Sequence, residues 1–225
     1  SQSKLPLITT FHGLSLRILS ETVGGTLNFC RLGYSKMPRM LSERDRLELL
    51  VTVSNKYERE LLDADLFRLD SLLTQRSVFA EKQTFLSDSQ KQVLKQIADR
   101  LENLKRERGV WDFSDLITGL MQLFEKNPWL IKTYAQRFDY VLVDEFQDTN
   151  PVQIKLLHYL LSSGSTIFAV GDDDQAIYGF RGADIRPVLE FCDYFKGAKI
   201  IKLQTNYRSI PAILDTANRL FSDKD

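Results

Sequence analysis

Two adjacent carboxylates, Asp144 and Glu145, directly follow the apolar run Tyr140-Val141-Leu142-Val143. An aspartate at the carboxyl end of a strand can hold a magnesium ion against nucleotide phosphates, and the next acid can polarise an attacking water. Acids ahead of a helix also suit its dipole, and that plainer reading covers Asp148 as well as a catalytic one does. A second polar run, Gly171-Asp172-Asp173-Asp174-Gln175, follows the apolar Thr166 to Val170 and leads on to Tyr178-Gly179-Phe180-Arg181-Gly182. Three neighbouring carboxylates repel one another, so they call for cations, donors or helix N-termini close by. Tyr178 and Phe180 suit either base stacking or core packing. A third run, Gln204-Thr205-Asn206-Tyr207-Arg208-Ser209, offers an arginine that can stabilise charge in phosphoryl transfer or make a surface ion pair. Its tyrosine can stack on a purine or cap the core.

Each of these runs needs a strand to aim it. Tyr140–Val143, Thr166–Val170 and Lys199–Leu203 read as short buried parallel strands. Between the first two, Pro151 to Leu161 reads as a buried helix with Asn150 as N-cap and Pro151 at the first helical position. Strand, helix, strand gives an α/β fold, whose ligand crevice lies beyond the carboxyl ends of the strands. From about Glu21 to Arg108 the periodicity is helical, with no convincing strand. The clearest helix spans Ser89 to Arg106, with Val93, Leu94, Ile97, Leu101 and Leu104 on an apolar face. Lys91, Lys95, Arg100, Lys105 and Arg106 lie on the other, either a solvated face or one that tracks phosphates.

The 225 residues hold 30 Lys plus Arg and 30 Asp plus Glu, with 43% apolar side chains, which is globular composition. Neutrality speaks against nucleic acid only as an average. Residues 1–110 carry 18 basic and 14 acidic side chains, so the helical stretch is mildly basic and the remainder acidic. Cys30 and Cys192 have no partner at zinc-ligand spacing and read as reduced, packed thiols of an intracellular protein. No apolar run reaches the roughly 18 residues of a membrane span. The start, Ser1-Gln2-Ser3-Lys4, has neither a signal-peptide core nor an initiator Met and reads as a cut or processed end.

Taken in order, VLVDEFQDTNPVQ at 141–153, VGDDDQAIYGFRGADI at 170–185 and LQTNYRS at 203–209 closely resemble motifs II, III and IV of superfamily 1 helicases of the UvrD/Rep type. TTFHGLSLRIL at 9–19 resembles motif Ib, and WDFSDLI at 111–117 the recurrent DFxDLL segment. The resemblance implies a partial RecA-like (P-loop NTPase) parallel sheet with a large all-helical insertion. Residues 1–20 and 110–198 would belong to the first RecA-like domain, 21–109 to the helical insertion, and 199–225 to the start of the second RecA-like domain.

The resemblance further implies an ATP-dependent 3′-to-5′ DNA helicase of repair or replication, acting on single strands and single/double-strand junctions in the cytoplasm, on the nucleoid if bacterial. Asp144 would hold magnesium and Glu145 would activate water, while Gln175 and Arg208 would contact the γ-phosphate, with Tyr207 near the adenine. Thr10, Phe11, His12, Tyr178 and Phe180 would line the DNA path, the last where the family often has Trp. Gln147 and Arg181 would couple the two sites. His158 reads as structural. One family element is absent from the sequence: no glycine is followed after four residues by Gly-Lys-Ser or Gly-Lys-Thr, the phosphate-gripping loop. The chain is therefore expected to be an internal piece, inactive alone. Two other readings remain open, a non-catalytic DNA- or protein-binding module derived from a helicase and a carboxylate-dependent metal nuclease.

Overall fold

The computed structural model describes residues 5–78, 86–176 and 186–221. Thr10 starts the first helix, its hydroxyl accepting the Gly13 N–H at 3.1 Å, and α1 (Phe11–Leu19) buries Leu14, Ile18 and Leu19. A two-residue turn then joins β1 (Thr22–Val23) to antiparallel β2 (Thr26–Leu27), followed by the one-turn α2 (Asn28–Arg31). Asn28, fully buried, donates to the Ile18 carbonyl at 2.7 Å and to the Tyr134 hydroxyl at 2.8 Å, tying down the end of α1.

The chain next makes a helical excursion. After β3 (Arg39–Met40) come α3 (Glu43–Val53), α4 (Lys56–Leu61), α5 (Leu66–Val78) and the long α6 (Asp88–Arg108). Ser42 with Asp45, Asn55 with Glu58 and Ser87 with Gln90 form reciprocal caps that satisfy orphan N–H groups at the starts of α3, α4 and α6. Leu49, Leu50, Leu69, Leu94, Ile97 and Leu101 form a core of their own. Gly109, left-handed at φ 62°, ends α6, and β4 (Val110–Trp111) pairs in parallel with β3. The excursion thus leaves and rejoins the chain at one ladder.

Beyond β4 the first core is completed. Asp112 and Asp115 cap α7 (Phe113–Lys126), which packs along α1, with α8 (Pro128–Ala135) beside it. Trp111 lies over Gly119 so closely that a Cβ there would sit 2.4 Å from the ring. Next come β5 (Tyr140–Val143), α9 (Pro151–Leu161) and β6 (Thr166–Ala169), then the short α10 (Arg186–Leu189). Strands β5 and β6 are parallel, with Val143 opposite Ala169. Helix α9 carries the expected Asn150 cap and leading Pro151. Residues Glu190–Asp225 form a second compact unit, containing α11 (Phe191–Tyr194) and α12 (Pro211–Phe221). Among the described residues, no helix is long and apolar enough to cross a membrane.

Several expectations are corrected. Lys199 to Leu203 is not a strand; Ile200, Ile201 and Leu203 are exposed, because no strand among the described residues offers them a ladder. Strands β5 and β6 are covered on one face only: Leu142 is 76% and Phe168 59% exposed, while Val141 packs on the first core. The helical stretch does include the short strands β1, β2 and β3, which apolar periodicity over two residues cannot reveal. Both cysteines are free but exposed rather than packed. Lys105 leaves the solvated face of α6 and is buried among carboxylates. Of its neighbours on that face, Lys91 pairs with Asp88 and Arg100 with Glu58.

Candidate functional site

Strand β5 ends in buried Val143 and delivers Asp144 and Glu145 to the surface. Asp144 is exposed, and one of its carboxylate oxygens accepts the Glu145 N–H at 3.0 Å. The next residue, Phe146, turns inward, its ring buried and its N–H donating to the Val170 carbonyl at 2.9 Å. Between an outward strand end and an inward anchor, Glu145 takes a left-handed backbone, φ 50° and ψ 47°, which an L-residue adopts at a cost of about 1–2 kcal/mol. A 3₁₀ turn, Phe146–Asp148, then leads into the Asn150 cap of α9.

Gln147 joins the two strand ends. Gln147 is only 2% exposed; Nε2 donates to Glu145 Oε2 at 2.7 Å, and Oε1 accepts the Asp172 N–H at 3.1 Å. Asp172 opens the turn after β6. Its carboxylate accepts the Asp174 N–H at 3.1 Å and the Gln175 side-chain amide at 2.6 Å. Gln175, Asp172, Gln147 and Glu145 therefore form one hydrogen-bonded chain. The carboxylates of Asp172, Asp173 and Asp174 each place an oxygen within 4.8 Å of the others, all exposed. Asp148 stands just behind: burial, then the charge of Glu145, holds its carboxyl above the usual range, and its Oδ1 is buried with no hydrogen-bond partner.

Exposed carboxylate oxygens at a strand end are donors of the kind that magnesium prefers, and Asp144 has no side-chain donor committed to it among the described residues. The donor set at this end of the sheet fits a hard divalent cation such as magnesium.

The remaining expected residues are distributed as follows. Thr10 spends its hydroxyl on the α1 cap, Phe11 packs on the first core, and half-buried His12 meets Phe113 edge-on with ring centroids 6.1 Å apart. Burial lowers the His12 pKa. Tyr207 and Arg208 lie in the second unit, where Asn206 Oδ1 accepts the N–H groups of Arg208 and Ser209 at 2.9 Å and shapes the turn before α12. Tyr207 is 94% exposed. Tyr178, Phe180 and Arg181 lie outside the described residues. His158, expected to be structural, is an exposed residue of α9.

The DFxDLL-like segment holds an arrangement that the sequence reading missed. Lys105 Nζ meets Asp112 at 3.1 Å, Asp115 at 2.7 Å and Glu102 at 2.6 Å, while Arg46 bridges Asp70 and Asp112. Burial outweighs the Lys105 charge and keeps the Asp115 carboxyl above its ordinary pKa. The available signal was the Asp-x-x-Asp spacing at 112–115, a capping pattern two residues after an apolar return.

Comparison with known proteins yields a consistent set of similarities. A family model described as the UvrD/REP helicase N-terminal domain matches residues 1–196. A probable DNA helicase II homolog from Rickettsia felis is 33% identical over 223 residues, 96% of this chain and 33% of its own. The ATP-dependent DNA helicase PcrA of Staphylococcus aureus is 31% identical over 225 residues, 99% of this chain and 30% of its own. DNA helicase II of Haemophilus influenzae is 46% identical over 115 residues, 51% of this chain and 16% of its own. The chain spans about a third or less of the length of these curated relatives.

Proposed function

The chain belongs to the UvrD/REP helicase family, and on that premise we propose that it forms part of an ATP-dependent DNA helicase that translocates 3′ to 5′ on single strands and opens duplex at junctions during repair or replication. The parent protein would act in the cytoplasm, on the nucleoid in a bacterium. Residues 1–20 and 110–198 make up a first RecA-like domain, 21–109 its helical insertion and 199–225 the start of a second. The separate apolar core after β3, from Leu41 on, supports a helical insertion there, while Phe29, inside the proposed 21–109, packs in the first core.

One observation carries the reading: Gln147 hydrogen-bonds both to Glu145 at the end of β5 and to Asp172 at the end of β6, so the acids of two adjacent strands form one unit. Asp144 is the magnesium ligand; a bound ion there supplies charge neutralisation for the ATP phosphates. Glu145 takes the proton of the attacking water. Gln175 meets the γ-phosphate with a neutral amide, and Arg208 offsets the charge that develops there, with Tyr207 against the adenine. Thr10, Phe11, His12, Tyr178 and Phe180 contact single-stranded DNA, and Gln147 and Arg181 link that path to the nucleotide.

Glu145→Gln in the full-length protein tests the assignment. ATP binding is expected to persist while DNA-stimulated turnover falls about 10²- to 10⁴-fold, the usual worth of a general base. Turnover within a few-fold of wild type would remove Glu145 from the role. A second reading is a DNA- or protein-binding module derived from a helicase, without hydrolysis. DNA binding by the full-length protein without any ATP turnover would select it.

A further inference from the structure

We infer that Gly171 is a positioning residue for Glu145: its missing side chain makes the space in which the Gln147 amide lies, and that amide holds the Glu145 carboxylate. The inference rests on reading Glu145 as the base.

Gly171 does not have a left-handed backbone, so conformation does not require glycine there. Space does. A Cβ at 171 would lie 2.9 Å from Gln147 Oε1, closer than real Cβ atoms approach, and 3.4 Å from the Gln147 backbone nitrogen and from Phe146 Cβ, which is ordinary contact. The only serious intrusion is on the tip of the Gln147 side chain. That tip has little freedom, because Gln147 is buried.

Its orientation is also dictated by its partners. The Asp172 N–H is a donor and must face the amide oxygen, so the amide NH₂ faces Glu145 and donates to Oε2. A neutral amide meets both demands; a carboxylate at 147 cannot donate to Glu145. One Glu145 oxygen is thereby held, leaving the other to receive a proton. Displacing the amide by a few tenths of an ångström loosens both hydrogen bonds at once. Because Gln175 binds the Asp172 carboxylate at 2.6 Å, a shift of Gln175 reaches Glu145 along the same chain.

Gly171→Ala in the full-length protein tests this in two ways. Without ATP or DNA, hydrogen exchange at the Asp172 amide should be about tenfold faster than in wild type, with the thermal midpoint nearly unchanged. With single-stranded DNA, kcat for ATP hydrolysis should fall by about tenfold to a hundredfold while the KM for ATP stays within about twofold, as for a misplaced catalytic group. Gly171→Ala combined with Gln147→Ala should be no slower than Gln147→Ala alone, since both act through one amide. Unchanged exchange, unchanged kcat, or multiplicative losses in the double variant would each overturn the inference. Absence of ATP hydrolysis in wild type would instead remove the functional reading on which it rests, whatever the exchange result.

Discussion

His12 sits half-buried against Phe113, and burial disfavours its charged form. Its folded pKa lies below the ordinary 6.5, so on acidification the unfolded chain takes the proton first. Its contribution to stability is complete above 6.5 and is lost as pH falls from there through the folded value. Thermal midpoints measured between about pH 7.5 and 5 should decline, and His12→Gln should flatten that part of the profile. An equal decline in the variant would assign the effect to other groups. At this scale the sequence located positions better than contacts. Asp144 and Glu145 were readable from their place after an apolar run, and the structure does put them at a strand end. The two-ended role of Gln147 was not readable, because it depends on Asp172 arriving from 25 residues away. Nor does any pattern at residues 9–12 announce that the Thr10 hydroxyl is committed to a helix cap.

Between elements, the start of α7 is bound to α6 and α3 by charge. Lys105 is nearly fully buried, and its removal would leave Asp112 and Asp115 facing each other with only Arg46 to offset them. Lys105→Met should therefore cost about 3–5 kcal/mol in urea unfolding, as when one member of a buried ion pair is deleted. Adding Asp115→Asn should recover part of that loss, since one stranded charge is gone and the amide oxygen can still accept the Asp112 N–H. A double variant as unstable as the single would show that packing of the lysine stem, not charge, was lost. Helices α6 and α9 were legible because a long apolar period with a capping residue identifies a helix by itself. The Lys105 position was misread for a complementary reason: helical periodicity sorts faces by polarity, while partners from beyond the helix decide whether a polar face is buried. The expected strand at 199–203 failed similarly, because an apolar run describes a willing strand and only a neighbour completes it.

Across the whole molecule, burial is uneven. The first two-thirds holds two apolar cores, whereas residues 200–208 are exposed throughout and lack regular structure. Limited trypsin digestion should cut after Lys202 and Arg208 well before it cuts after Lys105, whose side chain and helix must open first. Mass spectrometry of early fragments would test this, and early cleavage at Lys105 would contradict the burial of α6. The β3–β4 ladder has a different consequence at this scale. Met40 and Trp111 are ladder partners, so the excursion departs and returns at one small place. That geometry makes the helical excursion transplantable: a related segment could be grafted between those positions without re-registering the first core. The graft carries one chemical condition, because Asp112 and Asp115 stay behind with the recipient. A donor segment that brings no cations to the places of Arg46 and Lys105 would strand them, so compatibility between donor and recipient turns on two charges rather than on overall similarity.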